Sequence, residues 1–408
     1  MKKRNLFILL LSPFLIFLTL SCATTQRPKE PEQPVTKIPS LTQPLAIYTS
    51  VTDAQGQPVS NPSVAVDQRG AINVVWWTKG FGEIYFSRST DDGKSFSKAV
   101  NISNTPLSSD HPAVAVDQKG AINVVWDDGS VVPFAAEILF TRSTDGGQTW
   151  STPKNISNTP TTGSTRSNIA VDSTGGISVV WLDGGRVFFT RSTDGGLTWL
   201  DSKSVSGQYV PNGIYPPALT VNKGGQIYIA WSVAGSQAYI TRSNDGGATF
   251  TSPRPISEGR PTLGPSLAAG SEGTLYAVWP EGSSGTLQVL FALSKDQGET
   301  FSPPLNISKS GNIPALESKI VVDREGGIWV VWTQMFSGGI PQVLMAYSIN
   351  GRDNFSQPLN LSDTSGKGWL PNLAVGPAGD VDVVWEHGMK EAIIYSKIVQ
   401  QIVPVRTP

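Results

Sequence analysis

The fold is decided by two stretches of one unit, Ile122–Trp126 (INVVW) and Ser143–Trp150 (STDGGQTW). The first is rich in β-branched residues and ends on a tryptophan, which is typical of a buried strand. The second places Asp145 and two glycines between a serine and a threonine. That composition is typical of a tight turn, because Gly accepts positive φ and Asp accepts backbone hydrogen bonds. We therefore predict a strand and, one strand later, an Asp-containing turn.

The strand stretch recurs along the chain and ends on Trp in every copy. Successive tryptophans lie 50, 55, 50, 48, 53 and 53 residues apart. Each unit opens with a strand and a tight turn such as Val66–Gly70, which leads into the second strand that ends on Trp. A third strand such as Ile84–Arg88 and a fourth such as Lys154–Ser157 complete the unit. Units of four antiparallel strands at this interval predict an all-β β-propeller with one unit per blade. The tryptophans are Trp76, Trp126, Trp181, Trp231, Trp279, Trp332 and Trp385.

The turn stretch recurs in phase with the strands. Its pattern is that of the Asp-box, also called the BNR repeat, and the chain resembles the sialidase-like superfamily of Asp-box propellers over residues 45–400. A degenerate further copy covers Ser348–Phe355. We predict that the box aspartates are structural, because each carboxylate can accept hydrogen bonds from its own turn while the box aromatic packs between sheets. These aspartates are Asp91, Asp145, Asp194, Asp245 and Asp296.

The tryptophan count predicts seven blades. The last unit offers three strands, Asn372–Val375, Val381–Trp385 and Ala392–Ile398, and lacks the box and the fourth strand. The early segment Leu45–Ser50 resembles an isolated fourth strand. We expect it to pair onto the last blade and close the ring, which leaves no open edge between the first and last blades. Six blades, the number typical of the family's sialidases, is the alternative.

The N-terminus has the features of an export signal. A cationic start, Lys2–Arg4, precedes the 15-residue apolar run Leu6–Leu20, which is too short to span a bilayer as a helix. Leu18–Ala23 resembles a bacterial lipobox, with Thr19 in place of the usual leucine and Cys22 as the lipidated residue. An ordinary signal peptide is the alternative. The predicted segments are 1–21 (lipoprotein signal peptide), 22–44 (Pro-rich tether), 45–400 (propeller) and 401–408 (C-terminal tail).

Composition excludes several classes of function. The net charge is −1, so the basic surplus of a nucleic-acid binder is absent. One cysteine excludes a disulfide scaffold, and the two histidines lack metal-ligand spacing, so we expect no metal and no cofactor. The predicted protein is a monomer of the cell envelope, anchored by lipid to the outer membrane or cell surface. Ala23 after the cysteine favours sorting to the outer membrane if the organism has two membranes.

A ligand is expected on one face of the propeller. The first hairpins and the Asp-box turns share a uniform face, whereas the loops after each Trp and between blades vary in length and chemistry, which suits binding. Aromatic, acidic and amide side chains in these loops suit a glycan or a protein ligand. The ligand-face candidates are Trp77, His111, Asp183, Trp369, Glu386 and His387.

The resemblance implies a catalytic set that the sequence matches only in part. Sialidases of the family hold a substrate carboxylate with three arginines and use a Tyr–Glu nucleophile and an Asp acid/base. The early Arg-Ile-Pro motif is absent here, and no Glu is assigned to a Tyr. We therefore predict a non-catalytic glycan- or protein-binding propeller, with a sialidase-like exo-glycoside hydrolase as the alternative and an assembly factor for a membrane complex as a third hypothesis. The catalytic candidates are Arg166, Arg186, Arg260, Asp127, Asp128, Tyr209 and Tyr215.

Overall fold

The computed structural model forms two compact units, residues 37–401 and residues 1–36 with 402–408. The predicted signal peptide, Cys22 and most of the predicted tether lie outside the described residues. No helix long and apolar enough to cross a bilayer occurs in the described part of the chain. The structure describes residues 35–41, 45–48, 58–78, 82–132, 135–159, 162–211, 215–233, 236–257, 259–270, 273–282, 287–336, 338–349, 354–362, 367–388 and 392–404.

Seven antiparallel sheets form a ring, which confirms the seven-bladed propeller. Two N-terminal strands, β1 (Val35–Leu41) and β2 (Leu45–Tyr48), precede the first blade. Blades 1 to 3 contain β3 (Val59–Val66), β4 (Ile72–Thr78), β5 (Ile84–Ser89), β6 (Val100–Asn101); β7 (Ser109–Val116), β8 (Ile122–Val132), β9 (Ala135–Ser143), β10 (Lys154–Asn155); β11 (Ser164–Val171), β12 (Ile177–Asp183), β13 (Arg186–Ser192), β14 (Lys203–Ser204). Blades 4 and 5 contain β15 (Ala218–Val221), β16 (Ile227–Ser232), β17 (Ala238–Ser243), β18 (Arg254–Pro255); β19 (Ser266–Ala269), β20 (Leu275–Glu281), β21 (Gln288–Ser294), β22 (Leu305–Asn306). Blades 6 and 7 contain β23 (Ala315–Val322), β24 (Ile328–Phe336), β25 (Ile340–Ser348), β26 (Leu359–Asn360); β27 (Gly368–Val375), β28 (Val381–His387), β29 (Ala392–Pro404).

The first strand of each blade lies innermost. These strands contact one another in the closed order β3, β7, β11, β15, β19, β23, β27 and back to β3. Because each blade then runs outward through its second, third and fourth strands, the start of every first strand borders the axis at the variable-loop end.

The ring is closed by an N-terminal strand, as predicted. Strand β2 pairs antiparallel with β29, with Leu45 opposite Tyr395. Two features differ from the prediction: β29 continues past Ile398 to Pro404, and β1, inside the predicted tether, also lies beside β29. The β-branched residues that follow Ile398 favour an extended strand, whose backbone edge can pair with a second segment.

One apolar cluster fills each interface between neighbouring blades. Between blades 1 and 2, Trp126 packs with Val75 and Phe86, and Trp76 fills the junction of blades 1 and 7 beside Val384. The seven repeat tryptophans are 0–2% exposed. Burying such a ring removes roughly 150–250 Å² from water, or up to ~4–6 kcal/mol at ~25 cal/mol/Å². The stability of the ring therefore lies between the sheets.

The Asp-box connects neighbouring blades through hydrogen bonds and an aromatic contact. Asp145 accepts hydrogen bonds from Ser143 Oγ (2.8 Å), Thr149 N (3.0 Å) and Thr149 Oγ1 (2.5 Å). The hydroxyls and amides of this turn lower the pKa of Asp145 to about 2. Trp150 then packs edge-on against Phe86 of blade 1, at 5.1 Å between ring centroids and 72° between planes. The same bonds surround the other four box aspartates.

Candidate functional site

A backbone irregularity at the start of the first strand turns one side chain toward the axis. In five blades a β-bulge interrupts the pairing there, and the residue in the bulge has positive φ, between 45° and 60°. A bulge re-aims its side chain relative to the strand. The five residues are Asn61, His111, Arg166, Glu317 and Leu370. The equivalent residues of blades 4 and 5 are Pro216 and Gly264.

These residues surround a cavity on the propeller axis, called here the central cavity. Its volume is about 290 Å³, near the lower end of the usual range for small-ligand sites. Each bulge lies opposite the residues that follow a repeat tryptophan, for example Asp110 opposite Asp127, so the cavity sits at the variable-loop end. Every blade contributes to its wall, which includes Asn61, Ser63, His111, Arg166, Asn168, Tyr215, Gly264, Glu317, Lys319, Leu370 and Asn372.

One wall of the central cavity is a hydrogen-bonded chain of three ionisable residues. His111 Nδ1 lies 3.0 Å from Asp127 Oδ2, and Arg166 Nη1 lies 3.1 Å from His111 Nε2. Because a guanidinium only donates, His111 Nε2 carries the lone pair in this arrangement and Nδ1–H donates to Asp127. The Arg166 backbone N–H also donates to Asp127 Oδ1, at 3.3 Å. Asp127 therefore holds the His111 ring and the backbone of Arg166.

The charge of His111 is sensitive to its surroundings. Burial disfavours the imidazolium, but the hydrogen bond and charge of Asp127, with the charge of Asp110, outweigh it and raise the pKa of His111. The side chain of His111 keeps 25% of its accessible surface, so the cavity wall is reached by solvent. Protonation of Nε2 would replace the hydrogen bond from Arg166 by repulsion between two cations.

A second part of the wall combines Tyr215, Glu317 and Lys319. Burial and the nearby charge of Glu317 raise the pKa of Tyr215 to about 12, so its phenol stays protonated at neutral pH. Burial also raises the pKa of Glu317 and lowers the pKa of Lys319. Glu317 Oε2 accepts hydrogen bonds from Thr333 Oγ1 (3.0 Å) and Leu370 N (3.3 Å), which hold the carboxyl group against the wall.

The structure brings only some of the catalytic candidates together. Arg166 and Tyr215 line the central cavity. Arg186 is exposed at the start of β13, and Arg260 lines a separate cleft with Glu281 in blade 5. Tyr209 stacks on Tyr239 at 4.1 Å in the interface of blades 3 and 4. The three arginines therefore do not converge on one point.

The adjacent acids of blade 2 point to different partners, as alternation along a strand requires. Asp127 contacts His111 at the cavity wall. Asp128 is buried and accepts hydrogen bonds from Ser109 Oγ (2.8 Å) and Trp126 Nε1 (3.0 Å). It anchors a repeat tryptophan.

The remaining ligand-face candidates lie behind or beside the cavity. Asp183 is buried and accepts a hydrogen bond from Ser164 Oγ (3.3 Å), while Trp77 packs against the apolar cluster of blades 1 and 2. Glu386 is buried, pairs with Trp369 in the sheet register and accepts a hydrogen bond from Ser60 Oγ. His387 pairs with Gly368 at the start of β27.

Several cavity residues are absent from the sequence-based candidates, among them the ionisable pair Glu317 and Lys319. Both lie in a stretch that looks like an ordinary strand, Ala315–Val322. One sequence signal could have pointed to Glu317. It is the position before a Pro or Ser near the start of the first strand, where the residue type varies from Asn to His, Arg, Glu and Leu while the neighbouring positions repeat. Within the part of the chain that the structure describes, no group of three or more His, Cys, Asp or Glu residues could hold a metal ion.

Comparisons with known proteins agree with this architecture. The model of a family described as BNR repeat-like domain matches residues 108–401. Among solved structures, the BP39L lectin from Burkholderia pseudomallei aligns with a TM-score of 0.65 at 13% identity, over 85% of this chain and 98% of the lectin. An ulvan lyase, a polysaccharide lyase, aligns with a TM-score of 0.62 at 12% identity, over 83% of this chain and 93% of the lyase. The Hadza microbial sialidase Hz136 aligns with a TM-score of 0.50 at 16% identity, over 82% of this chain and 73% of the sialidase. No curated protein sequence matches the chain.

Proposed function

The chain belongs to the family of BNR repeat-like domains, and on that premise we propose that it is a glycan-binding propeller whose central cavity holds one sugar unit of an acidic glycan. The observation that carries this proposal is the convergence of Arg166, His111, Tyr215 and Glu317 from separate blades on one cavity of about 290 Å³. The similar folds of a lectin and of glycan-degrading enzymes support the ligand class by analogy alone.

The chemistry of the wall suits a sugar that carries a carboxylate. Arg166 presents a permanent cation, and guanidinium–carboxylate contacts are among the stronger hydrogen bonds in proteins. Amide side chains at Asn61, Asn168 and Asn372 offer both donors and acceptors for hydroxyl groups. Tyr215 offers an aromatic surface against which the apolar face of a sugar ring can pack.

We expect replacement of Arg166 by Met to weaken binding of an acidic sugar about a hundredfold, since a lost charged hydrogen bond costs roughly 1.5–3 kcal/mol. Isothermal titration calorimetry of the full-length chain with glucuronate, galacturonate and N-acetylneuraminate would measure the loss of affinity. Galactose is the neutral sugar for comparison. Arg186→Met is the matched control, because Arg186 is exposed on blade 3 outside the central cavity. Equal losses in both variants, or no preference for acidic sugars, would count against the proposal.

The second candidate function, a sialidase-like hydrolase, is favoured by one observation. Tyr215 and Glu317 line the same cavity and the charge of Glu317 acts on the phenol, which is the pairing a Tyr nucleophile would need. The scatter of Arg186 and Arg260 favours binding without turnover. Incubation with a fluorogenic sialoside separates the two: we expect no release, whereas release that Tyr215→Phe abolishes would establish the enzyme.

We further propose that the protein is exported and anchored by lipid on Cys22, with the propeller held at the outer membrane or cell surface. The support is the sequence alone, namely the short apolar run before Cys22 and the prolines after it. Fatty-acid labelling that is present in the wild type and absent from Cys22→Ser would agree with it, and equal labelling would not.

A further inference from the structure

Lys319 is an unusual residue at its place in the repeat. The equivalent positions of the other blades carry small or amide side chains: Ser63, Ala113, Asn168, Ala218, Ser266 and Asn372. Lys319 lines the central cavity and is the one amine that the described residues contribute to its wall. Among the described residues, Lys319 Nζ forms no hydrogen bond and no ion pair, whereas Arg166, which also lines the cavity, is bonded to His111. The amine is therefore held in the cavity without being engaged by the protein.

A carboxyl group accompanies the amine on the same strand. The bulge at Glu317 and Ser318 places both Glu317 and Lys319 in the cavity wall. The hydrogen bonds from Thr333 and Leu370 both end on Glu317 Oε2, so Oε1 has no hydrogen-bond partner within the described residues.

Burial shifts the pKa values of both members of this pair in the directions that favour their neutral forms. Burial, the largest influence on each, raises the pKa of Glu317 and lowers the pKa of Lys319. A neutral amine beside a protonated acid is more populated here than in water. A lysine becomes a nucleophile when it is deprotonated by desolvation, and a neighbouring acid can supply the proton that its addition reactions need.

We propose that Lys319 Nζ captures an aldehyde or ketone that enters the central cavity, with Glu317 as the proton donor. The nitrogen lone pair attacks the carbonyl carbon, and the carbonyl π electrons move to oxygen. Nitrogen loses a proton and oxygen gains one, which gives a carbinolamine. Glu317 then protonates the hydroxyl, water leaves as the C–O bond breaks, and the nitrogen lone pair forms the C=N bond. Loss of the last N–H proton to Glu317 restores the acid and leaves a neutral imine.

The ligand class is a carbonyl compound such as the open-chain form of a reducing sugar. The reaction needs no oxidant, reductant or metal, and it releases one water. The inference goes beyond the proposed glycan affinity and does not depend on it, because imine formation uses Lys319 and Glu317, whereas the affinity for acidic sugars rests on Arg166.

Reductive trapping tests the proposal on the full-length wild-type chain. The probe is glycolaldehyde with sodium cyanoborohydride, which converts an imine into a stable hydroxyethyl amine that peptide mass spectrometry locates. We expect Lys319 to be labelled about tenfold faster than the exposed Lys119 of blade 2 near neutral pH, since the neutral amine is the form that adds to a carbonyl and burial favours that form at Lys319. Equal rates at the two lysines would overturn the proposal.

Variants then separate the roles of the two groups. Glu317→Gln is expected to slow labelling of Lys319 by about a hundredfold, the usual size of a general-acid contribution, and to flatten its dependence on pH. Lys319→Met should abolish the labelled peptide, whereas Lys119→Met should leave the rate at Lys319 unchanged. A Glu317→Gln chain that melts like the wild type and labels as fast would remove Glu317 from the mechanism. Because the rate comparison within the wild type needs no variant, a variant that fails to fold does not decide the outcome.

Discussion

Gly147→Ala is expected to destabilise the propeller by about 3–5 kcal/mol, a large part of the stability of a typical domain. Gly147 closes the Asp-box turn of blade 2 with φ of +88°, where a side chain is strained. A Cβ atom there would also lie 2.1 Å from Cε1 of Phe86 on blade 1. The ring of Phe86 cannot move away easily, because it also packs against Trp150. Denaturant unfolding followed by tryptophan fluorescence would measure the loss.

Gly175→Ala is the matched control for this prediction. Gly175 has φ of +89°, yet a Cβ atom there would meet nothing within 4 Å. The control therefore carries the backbone strain alone, which we expect to cost about 1–2 kcal/mol. If the two variants lost the same stability, the contact between the Asp-box and the neighbouring blade would not matter to the fold.

Asp382→Asn is expected to stabilise the protein at neutral pH by up to about 3 kcal/mol. Burial raises the pKa of Asp382 to about 6, although a hydrogen bond from Tyr395 and the charge of Lys397 oppose the shift. Asp382 Oδ2 has no hydrogen-bond partner among the described residues. In blade 1 the equivalent residue is Asn73, whose amide donates to the carbonyls of Ala65 (3.2 Å) and Ala71 (3.1 Å). An asparagine at 382 can make the same bonds to the corresponding carbonyls of blade 7.

The gain should depend on pH in a defined direction. Because the folded chain binds the Asp382 proton more tightly than the unfolded chain, wild-type stability falls as pH rises from about 4 to about 6 and stays lower above that. The variant loses this dependence, so the two proteins should be equally stable near pH 4 and differ most above pH 6. Thermal melts across this range would show it. Asp380→Asn is the control: Asp380 also lies beside Lys397 (3.4 Å) but is partly exposed, and no gain is expected. Equal gains in both variants would mean that total charge, and not burial of Asp382, limits stability.

The fold was predictable because each of its features depends on neighbours in the sequence. A Val-Val-Trp strand or an Asp-box turn is recognisable from a few adjacent residues, and seven copies at regular spacing admit few architectures. Closure by β2 was predictable for the same reason, since the last unit lacks a strand. The continuation of β29 to Pro404 and the pairing of β1 were not, because both depend on which backbone edge is left open once the ring has formed.

The central cavity was predictable only in part. Arg166, His111 and Tyr215 were among the candidates because they occur in or next to variable loops. Arg186 has the same sequence signal as Arg166, but it lies on the second hairpin of its blade and not at the start of the first strand. The two arginines differ in their distance from the propeller axis. The position of a residue within a repeat indicates that distance only after the bulge is known. Lys319 was missed because an alternating strand normally places such a residue in solvent.

The bulge at the start of the first strand has a consequence for how such a chain can change through evolution. It provides five sites, and the equivalent positions 216 and 264 of blades 4 and 5 complete the ring of seven around the axis. Each of these positions is encoded in a separate repeat. A single codon change at position 61, 111, 166, 216, 264, 317 or 370 alters the chemistry at the centre without altering the surrounding architecture. Duplication of an identical ancestral blade would have produced a symmetric hole. Divergence at this one site per copy is enough to make the hole asymmetric, and asymmetry is what allows a cavity to distinguish one orientation of its occupant from another.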